Sequence, residues 1–337
     1  MPGRADSGAS LERQVGGLAD AAWALAALSV ALEQGLVRAL AAGGDAAAIA
    51  QRTGLPTPVV ARLLDVLGGL GVAEWDAAAQ AYRPAAAAAA LIDDPGLGER
   101  LAAEARSALL QAADLGVRAR EGTLDLEGWR HEDPEILQLQ GVSSSGAVPA
   151  LAAAFPTLGD LAERMERPGA AALDVGTGVA AIAIALARRF EHLRVVGLEP
   201  ARAPLGEARR NVVAAGLEQR IELRAQRVED LADESAFDFV FMPTAYLSAA
   251  ALRRGLAAVA RALRPGGWVV LGALGAPGGE LAPAVERLRA TLWGSEALEP
   301  AAVAVLCEEA GLCDVRVLEP GAEADLVPIA ARRASEI

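Results

Sequence analysis

The stretch Leu173-Asp174-Val175-Gly176-Thr177-Gly178-Val179-Ala180 joins an apolar, strand-like run to a helix-like run from Ala181 to Phe190. Glycines at 176 and 178 let the backbone turn sharply and approach a ligand, while Ala180 is small enough for the helix to pack on the strand. Twenty-one residues after Gly178, at the end of the next strand-like run Val195-Val196-Gly197-Leu198, stands Glu199. A carboxylate there can accept hydrogen bonds from both hydroxyls of a ribose. Glycine turn and acid together fit a nucleoside-containing ligand. The acid inside the turn, Asp174, narrows its charge. A dinucleotide seats its pyrophosphate on the helix N-terminus, where a carboxylate repels it. The same carboxylate suits a ligand with an amino group and a sulfonium, which is S-adenosylmethionine.

These residues need a sheet to hold them. From position 168 onward apolar runs of strand length alternate with helical segments: 170–175, 193–198, 221–223, 237–242 and 268–271. That alternation predicts a parallel sheet with helices on both faces. Ahead of it, residues 96–165 read as a helical connector and substrate cap, with helix-like stretches at 101–120, 134–140 and 148–165 and turn-rich stretches at 122–131 and 141–146. Residues 1–95 read as helices, a turn-helix capped at Asp45, a second capped at Thr57 and stopped at Gly68-Gly69, then two short strands at 72–75 and 81–83. This is a winged-helix-like order.

Winged helices often bind DNA, and the charge speaks against it. The chain carries a net charge of −13 over 337 residues, and all its basic residues are arginine. Residues 1–95 hold six Arg against ten Asp and Glu, so no positive footprint faces a phosphate backbone. An alanine-rich helical domain of this kind is expected to pair with a copy of itself. No membrane segment or signal pattern is expected, which places the protein in the cytoplasm. The two cysteines, Cys307 and Cys313, lack further ligands for a metal site and read as core thiols, so no metal is expected.

With Asp174 to Ala180, Glu199-Pro200, Phe237 to Met242, Leu263-Arg264-Pro265-Gly266-Gly267-Trp268 and Ala310-Gly311-Leu312 in this order and spacing, residues 165–330 resemble class I S-adenosylmethionine-dependent methyltransferases. With the helical domain in front, the whole chain resembles bacterial small-molecule O-methyltransferases of natural-product pathways. The resemblance implies an α/β, Rossmann-like catalytic domain at 166–337, with a mostly parallel seven-stranded sheet. It also implies an N-terminal all-α, winged-helix-like domain that makes a homodimer. S-adenosyl-L-methionine is then the cofactor and S-adenosyl-L-homocysteine its product. Asp174, Gly176, Thr177 and Gly178 would line the methionine part and Glu199 would hold the ribose. Pro200, Val228 and Glu229 would frame the adenine, and Met242 and Pro243 would face the methyl group. Val228 and Met242 fit plain core packing equally well.

The sequence departs from that family at three points. Ala180 replaces the third glycine, Arg227 stands where many relatives place an acid against the adenine, and no histidine follows the fourth strand near Ala245, where relatives keep a general base. The catalytic candidates left are His131, in the loop Trp129-Arg130-His131-Glu132-Asp133, and Tyr246, just past the fourth strand. His192 reads as a surface residue. Trp129, Phe155, Tyr246 and Trp293 are candidate walls for a hydrophobic, aromatic acceptor. The alternatives are an S-adenosylmethionine-binding enzyme of this fold with non-methylating chemistry, or a winged-helix ligand-sensing regulator.

Overall fold

The computed structural model describes residues 3–124, 129, 131–274, 281–296, 298–319 and 326–335, and it divides into two compact units, Met1–Val117 and Arg118–Ile337. The first contains helices α1 (Gly3–Glu33), α2 (Leu36–Leu40), α3 (Ala46–Thr53) and α4 (Thr57–Gly69), strands β1 (Ala73–Asp76) and β2 (Ala81–Pro84), then α5 (Ala86–Asp93) and all but the last turn of α6 (Pro95–Glu121). Gly35, at φ 70, breaks the chain between α1 and α2. Asp45 caps α3 as expected, accepting from the Ala48 N–H at 2.8 Å. Thr57 does not cap α4. Pro56 takes that position, its fixed φ preparing the first turn, and Thr57 is already helical. Leu36, Leu40, Ile49, Val60, Leu64 and Leu67 form this unit's core. The expected order of helix, turn, helix and two-stranded hairpin is present, with Trp75 opposite Tyr82.

Helix α1 bears on the expectation that no segment spans a membrane. Its segment Ser10–Glu33 is long and apolar enough to cross a membrane by length and composition, because the acid Asp20 interrupts, without breaking up, a run of Ala, Leu, Val and Trp. Much of that surface is uncovered: Leu18 is 59% exposed and Trp23 78%.

The second unit opens with α7 (Pro134–Ser145), α8 (Ala147–Ala154) and α9 (Leu161–Glu166). Residues 141–145 were expected to turn, yet α7 runs through them. Gly141 is there for a close approach, since a Cβ on it would lie 2.3 Å from Val179 Cγ2. The alternating part follows as β3 (Ala171–Val175), α10 (Ala181–Arg189), β4 (Arg194–Leu198), α11 (Arg202–Ala214), β5 (Ile221–Arg224), β6 (Phe237–Pro243), α12 (Ala249–Ala262), β7 (Leu263–Leu274), α13 (Leu281–Leu292), α14 (Pro300–Glu309), β8 (Cys313–Val317) and β9 (Leu326–Arg332).

The strands form one seven-stranded sheet in the order β5-β4-β3-β6-β7-β9-β8, in which β9 runs antiparallel to both neighbours. This is the expected α/β architecture, with an apolar layer on each face. From β3 the chain winds outward through β4 and β5, then returns to the other side of β3 with β6. At such a reversal, helices leave on opposite faces and a crevice opens at the strands' carboxyl ends. Asp174, Glu199 and Pro243 all stand at that end.

Candidate active site

The turn after β3 is built from three left-handed residues at alternate positions: Gly176 at φ 66, Gly178 at φ 56 and Ala180 at φ 65. The glycines adopt that conformation without steric cost; Ala180 does not, because its Cβ crowds the following carbonyl, at about 1 kcal/mol. Ala180 is fully buried, so a larger side chain has no room there.

Two carboxylates face this turn. Asp174 is 1% exposed and accepts a 2.6 Å hydrogen bond from the Thr177 hydroxyl. Burial raises its pKa from 3.8 to about 7, against the lowering effect of the Thr177 hydroxyl and the Ala183 amide and with a further push from the Glu199 charge. Glu199 accepts from the Gly178 N–H at 3.1 Å and from the Ala201 N–H at 2.8 Å. Burial raises its pKa too, and those two amides partly offset the rise. Each oxygen keeps a second lone pair for a ligand hydroxyl. Gly197 lets Thr177 sit directly on β4, since a Cβ at 197 would fall 2.9 Å from Thr177 Cγ2.

The other expected residues divide. Pro200 is exposed beside Glu199. Glu229, in the short helical turn 228–230 after β5, lies 3.5 Å from the Arg254 guanidinium. Arg227 is exposed. Val228 and Met242 turn their side chains into the core, where both pack on Gly255 of α12; a Cβ there would meet Val228 Cγ1 at 2.7 Å and Met242 Cε at 3.0 Å. Pro243 ends β6 and leads into a single helical turn, Thr244–Tyr246.

That turn carries Tyr246 into an aromatic cluster. Trp129 stands edge-on to Tyr246 and to Trp293, each 5.5 Å away between ring centres, and the Tyr246 and Trp293 rings are 5.2 Å apart. His131 lies 4.5 Å from Trp129. The structure thus brings both catalytic candidates into one group. Asp174 pairs with Phe241 across the β3–β6 ladder, which puts Tyr246 five residues beyond the glycine turn's neighbour on the same sheet edge. Burial pushes the Tyr246 hydroxyl up to about 12, so it stays protonated at neutral pH. Phe155, expected among these walls, belongs elsewhere. It is 1% exposed and packs on Phe190 and Phe239 inside the sheet core, because the turn 155–157 points its ring at β6 and away from the strand ends. His192 is exposed, as expected.

A polar brace behind the turn was not anticipated. Gln138 of α7 donates to Glu207 Oε2 at 3.0 Å, and Asn211 of α11 donates both to Gln138 Oε1 at 3.0 Å and to the Val179 carbonyl at 2.9 Å. It fixes the carbonyl just before Ala180. The only trace in the sequence is a Gln and an Asn on two helices 73 residues apart, which no local pattern connects.

With the geometry in place, comparison with known proteins assigns the sheet. Residues 172–267 match the family model described as a methyltransferase domain. This part of the chain is a methyltransferase domain. Its matched span holds the glycine turn, Glu199 and the Pro-Gly-Gly turn before the main run of β7. No curated protein matches the chain in sequence. Among solved structures, the apo form of the S-adenosylmethionine-dependent methyltransferase SibL is similar at TM-score 0.65 and 22% identity, covering 94% of this chain and 98% of that one. Human N-acetylserotonin methyltransferase in complex with SAM gives 0.67 and 18%, covering 96% and 98%. The mitomycin 7-O-methyltransferase MmcR gives 0.60 and 23%, covering 98% and 100%. At these identities the likeness is one of fold, and it extends from the methyltransferase domain across nearly the whole chain.

Proposed function

We propose that the protein transfers the methyl group of S-adenosylmethionine to a hydroxyl oxygen of a small, aromatic, natural-product-like acceptor. The observation that carries this reading is the pair of buried carboxylates on one glycine turn, Asp174 and Glu199. Asp174 meets the ligand's amino group and positive charge, with Gly176, Thr177 and Gly178 supplying close backbone approach. Glu199 receives the ribose hydroxyls, each such hydrogen bond contributing about 1.5 to 3 kcal/mol. Pro200 and Glu229 border the adenine, and Pro243 ends the strand that faces the methyl group. Val228 and Met242 support the site through packing.

The acceptor is proposed to lie against Trp129, Tyr246 and Trp293. Methyl transfer is an in-line displacement at carbon: the acceptor oxygen forms the new bond as the sulfur leaves, and S-adenosylhomocysteine is the product. Holding the reactants in line can raise the effective concentration to about 10⁵ M. His131, on the edge of the cluster, is the side chain proposed to take the acceptor's proton, and the Tyr246 hydroxyl to orient it. Supporting oxygen over other target atoms, the solved structures of similar fold include one named as a 7-O-methyltransferase.

We further propose that the first unit pairs with a second copy through the uncovered face of α1, with Leu11, Val15, Leu18 and Trp23 at its centre. A bilayer would be a poor cover for this helix, because Asp20 lies near the middle of its apolar segment and would cost about 3 kcal/mol there. A cytoplasmic location is part of the same proposal. Incubation with methyl-labelled S-adenosylmethionine and a set of planar phenols tests the activity: labelled aryl ethers support it, and label confined to the cofactor with every phenol opposes it.

A further inference from the structure

Helix α13 presents Glu286, Arg289 and Trp293 on one face, at steps of three and four residues. Trp293 follows directly on the helix end and belongs to the aromatic cluster with Trp129 and Tyr246. Arg289 lays its guanidinium over the Trp293 ring, 4.7 Å from its centre, and donates to Glu286 Oε1 at 2.9 Å. Both charges act on the Tyr246 hydroxyl. Glu286 is 15% exposed, and its second oxygen, Oε2, is buried with no hydrogen-bond partner among the described residues. A buried carboxylate oxygen without a donor costs free energy, so it marks a place where a donor is missing.

We propose that Glu286 is the polar anchor of the acceptor site: its Oε2 receives an O–H or N–H of an uncharged, planar aromatic acceptor seated against Trp129, Tyr246 and Trp293. The proposal rests on the methyltransferase reading above and names what that site selects. The donor is neutral for two reasons. Arg289 already balances the carboxylate's charge, and the same guanidinium already occupies the face of Trp293 where a cationic ligand would stack. What remains is one unpaired oxygen on the helix face that leads to Trp293, which suits a phenol or a heteroaromatic N–H. A site built to bond such a group discriminates strongly against the analogue that lacks it, because the carboxylate is then left unpaired.

The test compares 2-naphthol with its isostere 2-methylnaphthalene on the full chain loaded with S-adenosylhomocysteine, by saturation-transfer NMR and competition. Wild type is expected to prefer the naphthol by about 10- to 100-fold, the range for a hydrogen bond to a charged group. Glu286→Leu brings the preference to about one, and Glu286→Gln, which keeps shape and one carbonyl oxygen, leaves an intermediate value. Retained S-adenosylhomocysteine binding shows that each variant is folded. An unchanged preference in both variants, or no naphthol preference in wild type, overturns the proposal while leaving the cofactor reading intact. Wild type that fails to bind S-adenosylhomocysteine overturns that reading and the proposal with it.

Discussion

Replacing Asp174 with Asn isolates the charge that the glycine turn conceals. Burial lifts this carboxyl from 3.8 to about 7. Its folded pKa lies above its unfolded one, so the folded state binds the proton more tightly. The contribution of this group to stability is full below pH 4 and is lost as pH rises through about 7. A rise of that size corresponds to about 4 kcal/mol once the group is fully ionised, of which about 3 kcal/mol is lost between pH 5 and pH 8. Asn keeps an oxygen to accept the Thr177 hydroxyl but has nothing to ionise. Urea unfolding of the ligand-free proteins across that range is therefore expected to show the wild type losing about 3 kcal/mol relative to the variant. The same coupling makes a cationic ligand expel the proton. Affinity for S-adenosylmethionine should rise between pH 6 and 8 in wild type, with heats that depend on buffer ionisation, and stay weak and flat in Asp174→Asn. Parallel stability profiles for the two proteins would refute the buried, proton-binding carboxyl.

Two further substitutions probe the frame around the turn. Ala180→Gly removes the left-handed strain at φ 65 but loosens the unfolded chain and deletes a buried methyl, so thermal unfolding is expected to shift by less than about 1 kcal/mol, with cofactor affinity unchanged. Gly141→Ala drives a methyl into Val179, which sits 2.3 Å from the position its Cβ would take, and is expected to cost about 1 to 3 kcal/mol. Because Val179 belongs to the turn, that variant should also bind S-adenosylhomocysteine several-fold more weakly by calorimetry.

The parts of this site that were legible in the sequence are those encoded by short-range necessity. Asp174, Gly176, Gly178 and Glu199 announce themselves because a strand, a tight turn and a second parallel strand must follow at fixed spacing. The first five strands of the sheet were legible for the same reason, whereas β8 and the antiparallel β9 were not among the apolar runs read from the sequence. What was hidden depends on long-range direction. Phe155 and Trp129 look alike as aromatic residues ahead of the sheet, but the helical turn at 155–157 aims one into the core while the other meets Tyr246. Val228 and Met242 lie where ligand contacts were expected, and only Gly255 on a distant helix shows which way their side chains point. The left-handed Ala180 was hidden because alanine gives no hint of a positive φ. Glu286 had a faint signal, a Glu, an Arg and a Trp on one helical stripe, but its value rests on an unpaired oxygen that no pattern displays. The apolar stretch of α1 was easy to underestimate because Asp20 divides it into two shorter charge-free runs.

The chemistry proposed for this protein depends on the ligand of the Asp174–Glu199 turn. Calorimetric titration of wild type and Glu199→Ala with S-adenosylmethionine, S-adenosylhomocysteine and NAD measures it directly. Binding of both sulfur nucleotides to wild type, weakened about 10-fold or more in the variant, with no heat from NAD, is the predicted result. Binding of NAD, or sulfur nucleotides held equally well without the Glu199 carboxylate, would contradict it.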